Sequence, residues 1–179
     1  MIMLGNLMSL VGCSLMVLIG FVRRRERVLT LQCFQFGFLA ASNLLLGATS
    51  GFISGVVSIL RNLVFPRVGG SVWLKLVFIA IQAAMTLLAG WAGTISLLPL
   101  AAGVLFTWFI DTRSAVQLKL AIVAAQVLWG IYDLYYGNYV AFFFDVMTIV
   151  TNLVSVAQLS REDPLLGKFH PAAKKKAAL

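Results

Sequence analysis

An all-α polytopic membrane protein is the fold class that three observations predict: seven transmembrane helices, arranged as two parallel three-helix repeats joined by an inverting helix. First, 61% of the 179 residues are hydrophobic and 11% charged, and the mean hydropathy is +0.97. The polar residues of such a chain are too few to cover a soluble domain, so lipid is the solvent for most of it. Second, the apolar residues gather in seven runs, each close to the ~20 residues that cross ~30 Å of hydrocarbon. Third, the stretch LLLGATSGFISGVVSILRNLV (Leu44–Val64) returns at an offset of 90 as LYYGNYVAFFFDVMTIVTNLV (Leu134–Val154). Leucine and valine matches between apolar helices are common and carry little weight. Gly47/Gly137, Asn62/Asn152 and the hydroxyl pair Ser58/Thr148 in one register carry more. An internal duplication in a membrane protein points towards transport.

The elements follow in order. Helix 1 (Ile2–Val22) starts at the initiator methionine with no basic region before it and no cleavage site after it, which predicts a retained helix and not a signal peptide. Its Gly5, Gly12 and Gly20 make it thin enough for close packing. Helix 2 (Val28–Leu46) carries Gln32 and Gln35. Helix 3 (Thr49–Phe65) carries a polar stripe of Ser54, Ser58, Arg61 and Asn62. Helix 4 (Val72–Ala89) is bracketed by Trp73 and Trp91, residues that suit the membrane interface. Helix 5 (Thr94–Ile110) contains Pro99, which predicts a kink and a candidate hinge. Helix 6 (Leu118–Leu134) offers Gln126 and Trp129 and ends at Asp133 among Tyr132, Tyr135, Tyr136 and Tyr139, read as an aromatic belt around an outer vestibule. Helix 7 (Tyr139–Leu159) places Asp145 inside AFFFDVMTIV, with Thr148 and Asn152 on the same face. The domain reading is therefore 1–66 for the first repeat, 67–93 for the linker helix, 94–159 for the second repeat, and 160–179 for a disordered basic tail.

All 14 Lys and Arg lie in or beside alternate breaks: Arg23–Arg27, Arg61–Lys75, Arg113–Lys119 and the tail from Arg161. The breaks near Gly47, Gly90–Gly93 and Gly137 hold none. The positive-inside rule then predicts an outside N-terminus and a cytoplasmic C-terminus, and it explains the net charge of +8 without nucleic acid as a partner. Three helices are an odd number, so two repeats joined directly would point in opposite directions. One inverting helix between them makes them parallel.

The segment Arg25–Arg67, with LLLGA followed by RNLVF (Arg61–Phe65), resembles the bacterial inner-membrane YgjV-type family, well over the first repeat and weakly over the second. The 3+1+3 plan resembles the SWEET/PQ-loop superfamily of small transporters, although the Pro-Gln pair is absent and helix 5 reads Leu98-Pro99-Leu100. The resemblance implies the superfamily fold and an inner-membrane location, with no established substrate. It also implies that helices 3 and 7 face each other across a central pathway. There Asn62 and Asn152 are similar to the paired asparagines that contact sugars.

Polar groups inside a bilayer are costly, on the order of 2.5–3.5 kcal/mol for a charge at a helix centre, so they are candidate site residues by default. The candidates for solute binding are Asp145, Asn152, Thr148, Asn62, Ser58, Ser54, Arg61, Gln126 and Trp129. Each has a plain alternative. The asparagines could join neighbouring helices, Arg61 could snorkel to the interface or pair with Asp145, and Trp129 could pack. Cys13 and Cys33 lie in apolar runs as packing thiols, and a lone His170 argues against a metal site. No cofactor is expected. Nucleophile-elbow, Walker and Rossmann patterns are absent, so an enzyme is not expected either. The expected function is movement of a small polar solute (sugar-, nucleoside- or vitamin-like, or cationic) by alternating access, facilitated or proton-coupled. Two complete repeats let a monomer suffice. A receptor, sorting or assembly protein on the same fold is the alternative, and an intramembrane enzyme acting on lipid a weaker one.

Overall fold

The computed structural model of the chain describes residues 1–19, 25–68, 71–109, 112 and 115–169. They form α1 (Ile2–Ile19), α2 (Arg25–Leu45), α3 (Thr49–Val68), α4 (Val72–Ala89), a 3-10 turn (Thr94–Ser96) that runs into α5 (Leu97–Phe109), α6 (Ala115–Tyr135) and α7 (Tyr139–Phe169). No strand occurs among the described residues. α7 continues to Phe169, past the point near Leu159 where a non-helical tail is expected. Helix formers such as Arg161, Glu162, Leu165 and Leu166 favour that continuation despite Pro164. The three tail lysines, Arg23, Arg24 and Arg113 lie outside the described residues.

Among the described residues, three helices are long and apolar enough to cross a membrane: Val72–Ala89, Val116–Tyr135 and Tyr139–Gln158. Ile2–Leu18, Thr49–Phe65 and Thr94–Phe109 are shorter apolar helical stretches. α2 opens on Arg25, Glu26 and Arg27 and then runs from Val28 to Leu45 without a charged residue. The surface explains what solvent these helices want. Leu88, Trp73, Phe143 and Leu18 are among many large apolar side chains on the outside, while the buried set is rich in small and polar residues such as Ser9, Ser42, Ser54, Thr86, Ala48 and Ala102. A water-soluble core is the reverse of this. Small and hydroxyl residues between helices are how a bundle packs when lipid, as apolar as leucine, gives no hydrophobic drive to association.

Packing follows chain order and then closes on itself. α1 packs on α2 and α2 on α3, while α5 packs on α6 and α6 on α7. α3 also meets α5, and α1 meets α7, so six helices form a ring. α4 stands outside, touching α3 and α5. Ile53, Val57 and Phe78 form a small apolar cluster on the α3–α4 seam, where the Phe65 and Phe78 rings lie 5.5 Å apart. Glycines permit the closest approaches. A Cβ at Gly12 would stand 2.9 Å from Leu39 Cγ, and one at Gly55 would stand 2.8 Å from Ala40 Cβ.

The turns between α2 and α3 and between α6 and α7 have the same hydrogen bonds, residue for residue, at an offset of 90. Gly47 N donates to Leu44 O (3.1 Å) and Ala48 N to Asn43 O (2.7 Å); Gly137 N donates to Leu134 O (3.2 Å) and Asn138 N to Asp133 O (2.8 Å). Both glycines take positive φ, +76° and +73°. This is the left-handed helix end that glycine adopts without a Cβ penalty. Gly47→Ala and Gly137→Ala are each expected to cost about 1 kcal/mol by thermal melting in detergent. Nothing lies within 4 Å of a Cβ at Gly47, so there the cost is purely conformational.

Pro99 differs from the expectation of a break in the interior of helix 5. It is the third residue of α5, just after the 3-10 turn. In the first turn of a helix the missing N–H costs little, so the proline marks a start and not a mid-helix kink.

Candidate functional site

The ring encloses a cavity of about 260 Å³, lined from α1, α2, α3, α5, α6 and α7. Its walls repeat at the offset seen in the turns. Gln35 and Ala125, Leu39 and Trp129, Asn43 and Asp133, Gly55 and Asp145, and Ser58 and Thr148 all line it, each pair 90 residues apart. A pseudo-twofold axis through the cavity would relate such pairs. Three of the pairs differ in chemistry: Asp145 and Trp129 stand where the first half has Gly55 and Leu39, and Gln35 stands where the second half has Ala125.

Of the residues singled out from sequence, Ser54, Ser58, Arg61, Gln126, Trp129, Asp145 and Thr148 line this one cavity. Asn62 and Asn152 do not. Asn62 Nδ2 donates to Gln32 Oε1 (3.0 Å), and Asn152 Nδ2 donates to Thr148 O in its own helix (2.8 Å). α3 and α7 stand on opposite sides of the ring, with neighbours α2, α4 and α5 for one and α1 and α6 for the other. Ser54 Oγ accepts from Gln82 Nε2 (3.0 Å), which also donates to Pro99 O (3.1 Å). Trp129 lines the cavity and packs edge-on against Tyr132 at 5.7 Å.

Arg61 neither snorkels nor pairs with Asp145. It is 4% exposed, donates from Nη1 to Thr107 Oγ1 (3.1 Å), and lies with its guanidinium carbon 4.8 Å from the Phe106 ring centre. Its Nε has no partner. An unpaired buried guanidinium is an expensive group to keep.

At the end of the ring that carries the two turns, Asp133 and Asp145 are in hydrogen-bonding contact with each other. A hydrogen bond between two carboxyl groups requires a proton on one of them. Asp133 Oδ1 also accepts from Asn138 Nδ2 (3.2 Å), and Asn138 Oδ1 accepts from Ala141 N (3.4 Å), capping α7. No N–H or O–H group donates to Asp145 Oδ2, and none donates to Asn43 Oδ1. No cation acts on either carboxyl among the described residues. Asp133 is thus part of the cavity wall and not of a separate vestibule.

Tyr132 departs from the aromatic-belt expectation. It is fully buried and crosses from α6 to the first turn of α3, with its hydroxyl on Ser50 Oγ (2.9 Å) and Gly51 N (2.8 Å). A Cβ at Gly51 would stand 2.8 Å from the ring, so glycine admits it. Asn6 of α1 makes a second link at this end, donating to Gly137 O (2.9 Å) and accepting from Val140 N (3.0 Å). Tyr135 and Tyr139 are exposed, as a belt would have them.

Asn43, Asn138 and Cys13 line the cavity and were not among the sequence candidates. The signal for Asn138 was available: an asparagine directly after a glycine and before an apolar run is an N-cap signature. Asn43 is the repeat partner of Asp133 in the sequence, at the offset of 90.

Comparison with known proteins adds a family. The model described as Imp-YgjV, bacterial inner membrane protein, matches residues 3–163. No curated protein matches, and no solved structure matches.

Proposed function

Because the chain belongs to the Imp-YgjV family of bacterial inner membrane proteins, we propose that it moves a small polar solute across that membrane by alternating access. The single observation that carries this reading is the cavity. Six helices wall it, and three of its lining residues carry a buried polar atom with no donor or acceptor from the protein: Asn43 Oδ1, Arg61 Nε and Asp145 Oδ2. Polar groups are kept unsatisfied inside a membrane protein when something else satisfies them.

The matching turns and cavity walls support two parallel three-helix units, α1–α3 and α5–α7, with α4 as the inverting link, on a SWEET-like plan. In this reading the N-terminus is outside and the C-terminus cytoplasmic, so the turn end of the ring faces out. The Tyr132 and Asn6 links then hold the outer end closed. Solute release outward breaks them as the units rock, with the 3-10/α junction before Pro99 as the flexing point of α5. The Asp133–Asp145 pair is the natural proton carrier, which makes the movement proton-coupled.

Those same outer links favour a second reading, a receptor or assembly protein whose outer side never opens. The test is access to position 125, a cavity-wall alanine with no part in the proposed mechanism. A Cys13→Ser/Cys33→Ser/Ala125→Cys protein in proteoliposomes is treated with a membrane-impermeant thiol reagent from each face. Labelling from both faces is expected. Labelling from one face only, under every solute and pH condition tried, would sink the transporter reading in favour of the receptor.

A further inference from the structure

We propose that the solute is a zwitterion whose ammonium and anionic groups are separated by a chain, the ammonium seated at the Asp133–Asp145 pair and Asn43 Oδ1, the anion at Arg61. This rests on the reading of the cavity as a transport site and narrows its substrate class.

The argument starts from charge. One cavity holds a buried guanidinium and a buried carboxyl pair that do not neutralise each other. Arg61 meets only a neutral hydroxyl and an aromatic ring, and its Nε points at no acceptor. The carboxyl pair meets no cation among the described residues, and when a single proton lies between its two groups it presents one negative charge. Asn43 adds an acceptor oxygen, itself 96% buried, beside the same end. A single cavity therefore presents an unmatched positive pole and an unmatched negative pole.

Each simple ligand class fails one pole. A sugar supplies hydroxyls but neutralises neither charge. A cation covers the carboxyls and leaves Arg61 buried and bare; an anion does the reverse. A buried charge left without a partner is costly, so a ligand that covers only one pole leaves the other penalty in place. A zwitterion covers both and brings no net charge into the low-dielectric interior.

The separation of the poles selects among zwitterions. On the parallel-repeat plan Asp145 stands at the height of Gly55, and Arg61 lies six residues further along α3, an axial offset of about 9 Å to which the width of the ring adds. The ammonium and carboxylate of an α-amino acid sit on one carbon and reach only one pole at a time. A chain of several methylenes reaches both, and Phe36, Phe106 and Trp129 give that chain an apolar wall.

The experiment uses the full-length detergent-purified protein and isothermal titration calorimetry. The probes are glycine, γ-aminobutyrate and ε-aminocaproate, with butylamine, butyrate, glucose and uridine as controls. The expected result is binding of γ-aminobutyrate or ε-aminocaproate at least tenfold tighter than glycine, butylamine or butyrate. In Arg61→Lys, which keeps the charge, that preference persists more weakly. In Arg61→Gln the ω-amino acids bind no better than butylamine. If glucose or uridine binds while no ω-amino acid does, the zwitterion proposal is overturned and the transport site stands. If every probe is silent and the protein also fails the two-face labelling of position 125, the proposal falls together with the transporter reading. Should Arg61→Gln not fold, the wild-type ligand series alone decides the matter.

Discussion

Asp145→Asn is expected to cut solute movement by at least about 100-fold while leaving the melting temperature equal to or above that of the native protein. The two halves of this expectation have one cause. In the native protein Asp145 meets Asp133 through a shared proton and offers Oδ2 to no donor of the chain. An asparagine of the same shape can donate its amide hydrogen to the Asp133 carboxylate, so the contact survives without any proton to share. It also removes a buried carboxyl that no cation compensates, and replacing such groups with neutral ones of similar volume is often neutral or stabilising. What is lost is the exchangeable proton and a buried acceptor oxygen on a cavity-lining residue. A factor of about 100 corresponds to about 2.7 kcal/mol, within the range for truncating a buried charged hydrogen-bond partner. Uptake into proteoliposomes is the measurement, run with and without an imposed pH gradient. The native protein is expected to respond to the gradient and the variant not to. Full uptake by Asp145→Asn, with an unchanged response to pH, would remove the carboxyl pair from the mechanism. A fall in melting temperature alongside lost uptake would instead make the pair structural.

Much of this fold was legible in the sequence because it is written in two simple signals. Runs of apolar residues mark helices when lipid is the solvent, and α4 and the start of α7 fall where the sequence reading put them. The offset of 90 was readable because Gly47 and Gly137 are needed at positive φ, a demand that few other residues meet. The site was legible only in part. Periodicity tells which residues share a face of one helix, so Ser54, Ser58 and Arg61, or Asp145 and Thr148, could be grouped within their own helices. It does not tell which helix stands opposite. Nothing in a single sequence places Asp133 against Asp145, or turns Asn152 back onto its own backbone instead of into the cavity. Tyr132 illustrates the same limit. Composition makes it one of four tyrosines at a membrane edge, whereas its hydroxyl finds Ser50 and the Gly51 amide, 82 and 81 residues away.

The remaining large effect concerns α4, the helix outside the ring. Gln82 on α4 is 4% exposed and donates to Ser54 Oγ on α3 and Pro99 O on α5, so one side chain ties together the two helices that meet between the halves. Gly103 makes room for it. A Cβ there would stand 2.5 Å from Gln82 Oε1 and 2.6 Å from Nε2. Those atoms end a flexible side chain, yet two hydrogen bonds and burial pin it. Gly103→Ala must displace it and is expected to cost about 2–4 kcal/mol, from two lost bonds and a strained seam. Gln82→Ala loses the same bonds and opens a hole, for about 2 kcal/mol. In the double variant the new methyl at position 103 enters the space that Gln82 has left. The pair should therefore cost about as much as Gln82→Ala alone, a coupling of about 2–4 kcal/mol against additivity. Reversible unfolding in detergent measures all four proteins of the cycle. Additive costs would show that Gln82 does not rest on Gly103. Uptake by Gln82→Ala extends the argument to function: if α4 is a passive link, losing the tie loosens the α3–α5 seam and speeds rocking, whereas if α4 holds the halves in register, uptake falls with stability.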